Sequence, residues 1–92
     1  DTKEVFANDV SEVLDFLLSE SLRIVGKPVK NMIKDDKLQA IKYLDEKGAF
    51  LISKSGNKVC EFYDISKFTL YNYLDEIRSH NNQNHNRNGN HD

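Results

Sequence analysis

Between Gly56 and Tyr73 the chain carries two short apolar-periodic segments separated by only three residues, Asp64, Ile65 and Ser66. Two helices joined by so short a turn must cross at a steep angle. Such a crossing needs a small residue where the helices approach, a turn residue that tolerates positive φ, and apolar residues on both inner faces. Cys60 supplies the small residue. Asp64 stands where the left-handed region is needed, and aspartate enters that region more readily than most residues. Val59, Tyr63, Ile65, Leu70 and either Tyr73 or Leu74 fill the inner positions. Ser66 is a good N-cap, and Ile65 with Leu70 can form a hydrophobic staple across the start of the last helix. The spacing predicts one helix from about Gly56 to Tyr63, capped by Ser53 or Ser55, and another from Lys67 to about Arg78.

The remaining pattern is helical too. Asp9 followed by Glu12 reads as a capping box, opening a helix from Asp9 to Val25 that stops at Gly26-Lys27-Pro28. A second helix is expected from about Lys37 to Lys47, with Asp36 and Gln39 as its capping box and Gly48 as its stop. Its residues Leu38, Ile41 and Leu44 would pack beneath the crossed pair. Ala49, Phe50, Leu51 and Ile52 could form a strand by propensity, but no second strand is available to pair with it, so an extended connector plugging the core is expected. Residues 80–92 hold six asparagines and three histidines and no aliphatic residue. Such a tail cannot bury enough surface to offset ordering entropy. The fold class expected is therefore all-α: a trihelical helix-turn-helix domain over 31–79, preceded by an extra amphipathic helix and linker over 1–30, and followed by a disordered Asn/His-rich tail over 80–92.

Composition narrows the function classes. The chain has 92 residues, 38% of them apolar, and a single cysteine, Cys60. One thiol supports no internal disulfide, which suits a reducing, cytoplasmic setting. No apolar run approaches the ~20 residues of a membrane span, and no signal-peptide pattern is visible. Opening on Asp1 rather than methionine fits a piece of a longer protein. Neither paired catalytic groups nor a phosphate loop is present, so no catalytic step and no cofactor are expected. Asp75 and Glu76 are adjacent and point to different helix faces, which makes them solvated surface rather than a catalytic pair. Cys60, with no histidine near it in any motif, reads as a small core residue. His80, His85 and His91 lack metal-ligand spacing, so no metal site is expected. The net charge of −2 runs against a nucleic-acid binder. Phosphate contact depends, however, on charge at one face rather than over the whole chain.

The outward side of the helix beginning at Lys67 is chemically suited to DNA. Asn72 can pair bidentately with adenine, Lys67 can reach guanine acceptors, and Phe68, Tyr71 and the Thr69 methyl can touch a thymine methyl. Of the two tyrosines, Tyr71 is expected outward and Tyr73 inward. Lys54, Ser55, Lys58, Ser66 and Tyr71 are placed to reach phosphates. A helical protein-interaction module using the same surface without DNA is the alternative on these residues alone.

The runs AIKYLDEKGAFLISKS, from Ala40, and VCEFYDISKFTLYNYLDEIR, from Val59, sharpen the reading. They resemble the C-terminal domain of the YheO-like transcriptional regulators. The family pattern is a leucine helix ending in glycine, then Phe-Leu-Ile, then a helix with a small residue. It closes on Ile/Val-Ser-Lys/Arg-x-Thr-Val/Leu-Tyr-x-Tyr-Leu. Here Ile65 to Leu74 carry the last motif, and Gly48 and Phe50 also match. Cys60 replaces the usual alanine, and Asp64 the usual glycine or asparagine. The resemblance implies a bacterial regulator binding double-stranded DNA, with its effector on a PAS-like sensor domain that this chain does not include.

The first helix carries more apolar surface than one packing stripe requires: nine of sixteen residues from Val10 to Val25. Burial on a second side is implied, against a twin chain or the sensor domain. A homodimer through Val10, Val13, Leu14, Leu17, Leu18 and Leu22 is expected, since helix-turn-helix dimers read half-sites about one DNA turn apart.

Overall fold

The computed structural model describes the backbone of residues 2–90 and the side chains of residues 10–80. Four helices follow one another: α1 (Thr2–Val25), α2 (Lys34–Glu46), α3 (Ser55–Tyr63) and α4 (Lys67–Asn90). Single 3₁₀ turns at Val29–Asn31 and Ala49–Leu51 join the first three. The fold is all-α, with no strand among the described residues.

Local chemistry sets most of the boundaries, and it moves several of them from where the spacing put them. α1 begins at Thr2 rather than Asp9. No proline or glycine lies between them to break the helix, so Asp9 and Glu12 fall inside it rather than at its start. α1 stops where expected, with Gly26 left-handed at φ 77° and donating its N–H to the Leu22 carbonyl. α2 begins at Lys34, after an extended Ile33, so Asp36 is its third helical residue and not its N-cap. The Asp36 carboxylate reaches back to accept the Ile33 N–H at 3.1 Å, and it also accepts from Lys27 Nζ at 2.8 Å. Those two donors, Lys27 first, hold its carboxyl below the usual carboxylate range.

The connector is likewise not extended. Ala49 to Leu51 form a 3₁₀ turn in which Ala49 is buried, while Phe50 and Ile52 half-plug the core and Leu51 is 91% exposed. Gly48, left-handed at φ 82°, turns the chain sharply enough to make this compact path possible. The residue preceding α3 is Lys54, itself left-handed at φ 64°. Neither Ser53 nor Ser55 therefore caps that helix: Ser55 is its first residue and faces inward. α4 is helical to Asn90, beyond the expected end near Arg78; no proline interrupts it. From residue 81 on, the expectation of a disordered tail falls on residues whose side chains lie outside the described ones.

One core joins all four helices. Leu14 and Leu18 come from α1, Ala40, Ile41 and Leu44 from α2, Val59, Cys60 and Tyr63 from α3, and Leu70, Leu74 and Ile77 from α4. Leu74 rather than Tyr73 takes the inner position; Tyr73 is half-buried. Leu38 lies at the core margin. At the centre, the Ser21 hydroxyl donates to the Leu18 carbonyl at 2.7 Å. Its only hydrogen is thereby used, so the Tyr63 hydroxyl must be the donor in the 2.5 Å contact between the two side chains. This bond ties α1 to the last residue of α3, immediately before the turn. Burial pushes the Tyr63 phenol above its usual value.

Candidate nucleic-acid interface

Tyr63 closes α3, and the next residue, Asp64, adopts φ 54°, ψ 52°. The Ile65 N–H then returns to the Cys60 carbonyl at 3.0 Å, the six-to-one bond of a Schellman motif. Left-handed geometry costs most residues about 1–2 kcal/mol, and aspartate enters it more readily than most. Ser66 then caps α4. Its Oγ accepts the Thr69 N–H at 3.0 Å and donates to Thr69 Oγ1 at 3.1 Å. Ile65 is half-buried and Leu70 wholly buried against the same core, as a staple across the helix start requires.

This turn leaves one side of α4 in solvent. Lys67, Phe68, Tyr71 and Asn72 are all exposed, Phe68 by 76% and Tyr71 by 58%. At 100° per residue they span under half of the helix circumference, on the flank that adjoins the buried stripe of Leu70, Leu74 and Ile77 at Lys67 and turns away from it through Asn72. Thr69 is half-buried at the edge of this face. The Lys67 ammonium lies 5.9 Å from the Tyr71 ring centroid, a cation–π contact that orients both side chains. No acidic residue stands between Lys67 and Leu74; Asp75 is the first. The first eight residues of α4, Lys67 to Leu74, therefore carry no negative charge of their own, despite the net balance of the chain.

Beside this face a groove of about 540 Å³ runs between the start of α3 and α4, floored by Ile52, Gly56 and Leu70 and edged by Lys54 and Lys67. Among the described residues neither lysine is engaged in an ion pair. Arg78, on the same wall, is committed elsewhere: it grips Asp45 through two bonds of 2.7 and 3.2 Å and fastens α4 to the end of α2.

Of the expected DNA-contacting residues, Lys54, Lys67 and Tyr71 line this groove, whereas Asn72 lies in a separate shallow cleft with Asp75 and Glu76; Ser66 and Phe68 are exposed near the start of α4 and Thr69 is half-buried. Lys58 is exposed but is paired with Asp15 of α1 at 2.9 Å. Both partners are half in solvent, so the pair holds it weakly. Ser55 is 2% exposed and cannot reach a phosphate; the inward turn of the chain after Lys54 buries it. Asn57, exposed at the start of α3 beside Lys54 in the groove, was not singled out by sequence. An exposed polar residue in a first helical turn gives no signal by itself.

A family model described as an HTH domain matches residues 13–75 of the chain. The chain belongs to that family. The match begins inside α1 and ends one residue past Leu74, so this HTH domain takes in the second half of α1 together with the crossed pair. No curated protein and no solved structure matches it. Within the described residues of the HTH domain no cluster of metal-ligating side chains occurs, and no helix is long and apolar enough to cross a membrane.

Proposed function

We propose that this HTH domain binds duplex DNA sequence-specifically as part of a bacterial, cytoplasmic transcriptional regulator of the YheO-like kind. The opening turns of α4, Lys67 to Asn72, lie in the major groove. The observation that carries this reading is the exposed quartet Lys67, Phe68, Tyr71 and Asn72, lifted clear of the core by a three-residue capped turn. Lys67 and Asn72 supply base-edge hydrogen bonds, while Phe68 and Tyr71 supply apolar contact to thymine methyls. Lys54, Lys58 and the cap at Ser66 address the flanking phosphates. The domain acts as a homodimer without catalysis or cofactor, and the effector binds a sensor domain elsewhere in the regulator.

One observation favours a second reading. Two large aromatic side chains, Phe68 and Tyr71, are exposed on a chain of net charge −2, as on a surface that docks a protein. Duplex affinity measured across a salt series separates the two. A domain neutralising about four phosphates loses affinity with a log–log slope near −3.6. A flat salt response, or no duplex binding at low salt, favours the protein-docking alternative.

A further inference from the structure

The exposed face of α4 has a fifth member, and it carries the opposite charge. At about 100° per residue, Asp75 falls between Tyr71 and Asn72 in projection, about 40° from the one and about 60° from the other. It is exposed. It lines the groove beside Lys54, Lys67 and Tyr71, and it also lines the shallow cleft beside Asn72. Asp75 is the residue that the two share. The fold leaves it without a cation. Arg78, one turn further on, is the ordinary i,i+3 partner for such a carboxylate, but its guanidinium turns to Asp45 with bonds of 2.7 and 3.2 Å. Lys34 of α2 goes to Glu76 at 3.3 Å. Among the described residues no hydrogen bond or ion pair engages the Asp75 carboxylate.

A bare carboxylate on a face that meets DNA opposes binding unless the DNA supplies a donor. Phosphates supply none, and most base edges in the major groove supply a poor one. Guanine presents the acceptors N7 and O6, thymine the acceptor O4 and a methyl group, and adenine sets its N7 acceptor beside its N6 amine. Cytosine presents a donor only, its N4 amine. We infer that Asp75 is a specificity-determining residue: its carboxylate accepts a hydrogen bond from a cytosine N4 amine, at a base pair next to the one that Asn72 reads. The three residues from Asn72 to Asp75 advance about 4.5 Å along the helix axis, similar to the ~3.4 Å step between stacked pairs. At other bases the same carboxylate repels the acceptors it faces and the phosphates near them, so it acts against wrong sequences as well as for the right one. The inference rests on the reading of α4 as the DNA-contacting helix and deepens it.

The test uses the whole chain and two variants. Duplexes selected from a random pool by the parent should hold a cytosine at one fixed pair beside the adenine that Asn72 reads. Replacing that pair should weaken parent binding about tenfold or more. Asp75→Ala should lose the preference, binding the two duplexes to within about twofold of each other. It should also bind non-operator duplex about threefold or more tightly than the parent at low salt, because a negative charge has left the face. Asp75→Asn should move the preference at that pair from cytosine to adenine, the base that an amide holds bidentately. A merely structural role would not switch the base. Asp75 is exposed, so both variants should melt with the parent. An Asp75→Ala chain that gains affinity for every duplex equally and keeps its preference overturns the base contact and leaves repulsion alone. An unchanged profile in both variants makes Asp75 solvated surface and overturns the assignment outright. Failure of the wider reading looks different: a parent chain that binds no duplex at low salt overturns α4 as the DNA-contacting helix, and the role of Asp75 with it.

Discussion

Replacing Tyr63 with alanine is expected to leave much of the chain unfolded in water at room temperature. Among the described residues Tyr63 is the largest fully buried side chain, and it meets Phe62 edge-on at 4.9 Å. Emptying an aromatic site of this kind costs about 3–5 kcal/mol. A domain of this size has only about 5 kcal/mol to lose. Tyr63→Phe keeps the ring and loses only the bond to Ser21, which should cost about 1 kcal/mol. Urea unfolding followed by circular dichroism measures both; a Tyr63→Ala loss below 1 kcal/mol would mean that the α1–α3 junction is not where the core is anchored. The same residue gives a pH signature. Burial raises its folded pKa above the ordinary 10.0. Its contribution is therefore complete below that value and declines as pH rises through the folded pKa. Alkaline destabilisation should be smaller in Tyr63→Phe than in the parent.

The second large effect is on DNA. With an operator selected from a random duplex pool, Lys67→Ala and Asn72→Ala should each weaken binding by about 1–3 kcal/mol per lost base contact. Both positions are exposed, so stability should change by no more than about 0.5 kcal/mol. Lys67→Ala should also weaken non-operator duplex, because it removes a cation from the groove edge. Asn72→Ala should leave non-operator binding nearly unchanged and relax preference at one base pair. Unchanged operator affinity in both variants would remove α4 as the reading helix.

Features set by local chemistry were legible in the sequence. The three-residue turn, the left-handed Asp64, the Ser66 cap and the outward Tyr71 follow from spacing and from which side chains tolerate which backbone. Features set by tertiary contact were not. Asp36 looked like an N-cap because its preference is similar at the cap and at the third helical position; the Lys27 ammonium and Ile33 N–H select the latter. Ser55 looked like a surface hydroxyl until Lys54 turned the chain inward. The surplus apolar surface of α1 was visible, but periodicity alone could not divide it. Leu14 and Leu18 went to the core, and Val13 and Phe16 to solvent, only because α2 and α3 pack on one side. The Ser21–Tyr63 bond joins residues 42 apart, and no local pattern announces it.

Backbone amide shifts of the labelled chain, followed as a short selected duplex is added, test the gene-regulatory reading most directly. The largest changes should fall on Ser66 to Asn72, with a second group at Lys54 to Lys58, and α1 should be little affected. Changes concentrated on α1 or on the far side of α2, with α4 silent, would contradict it.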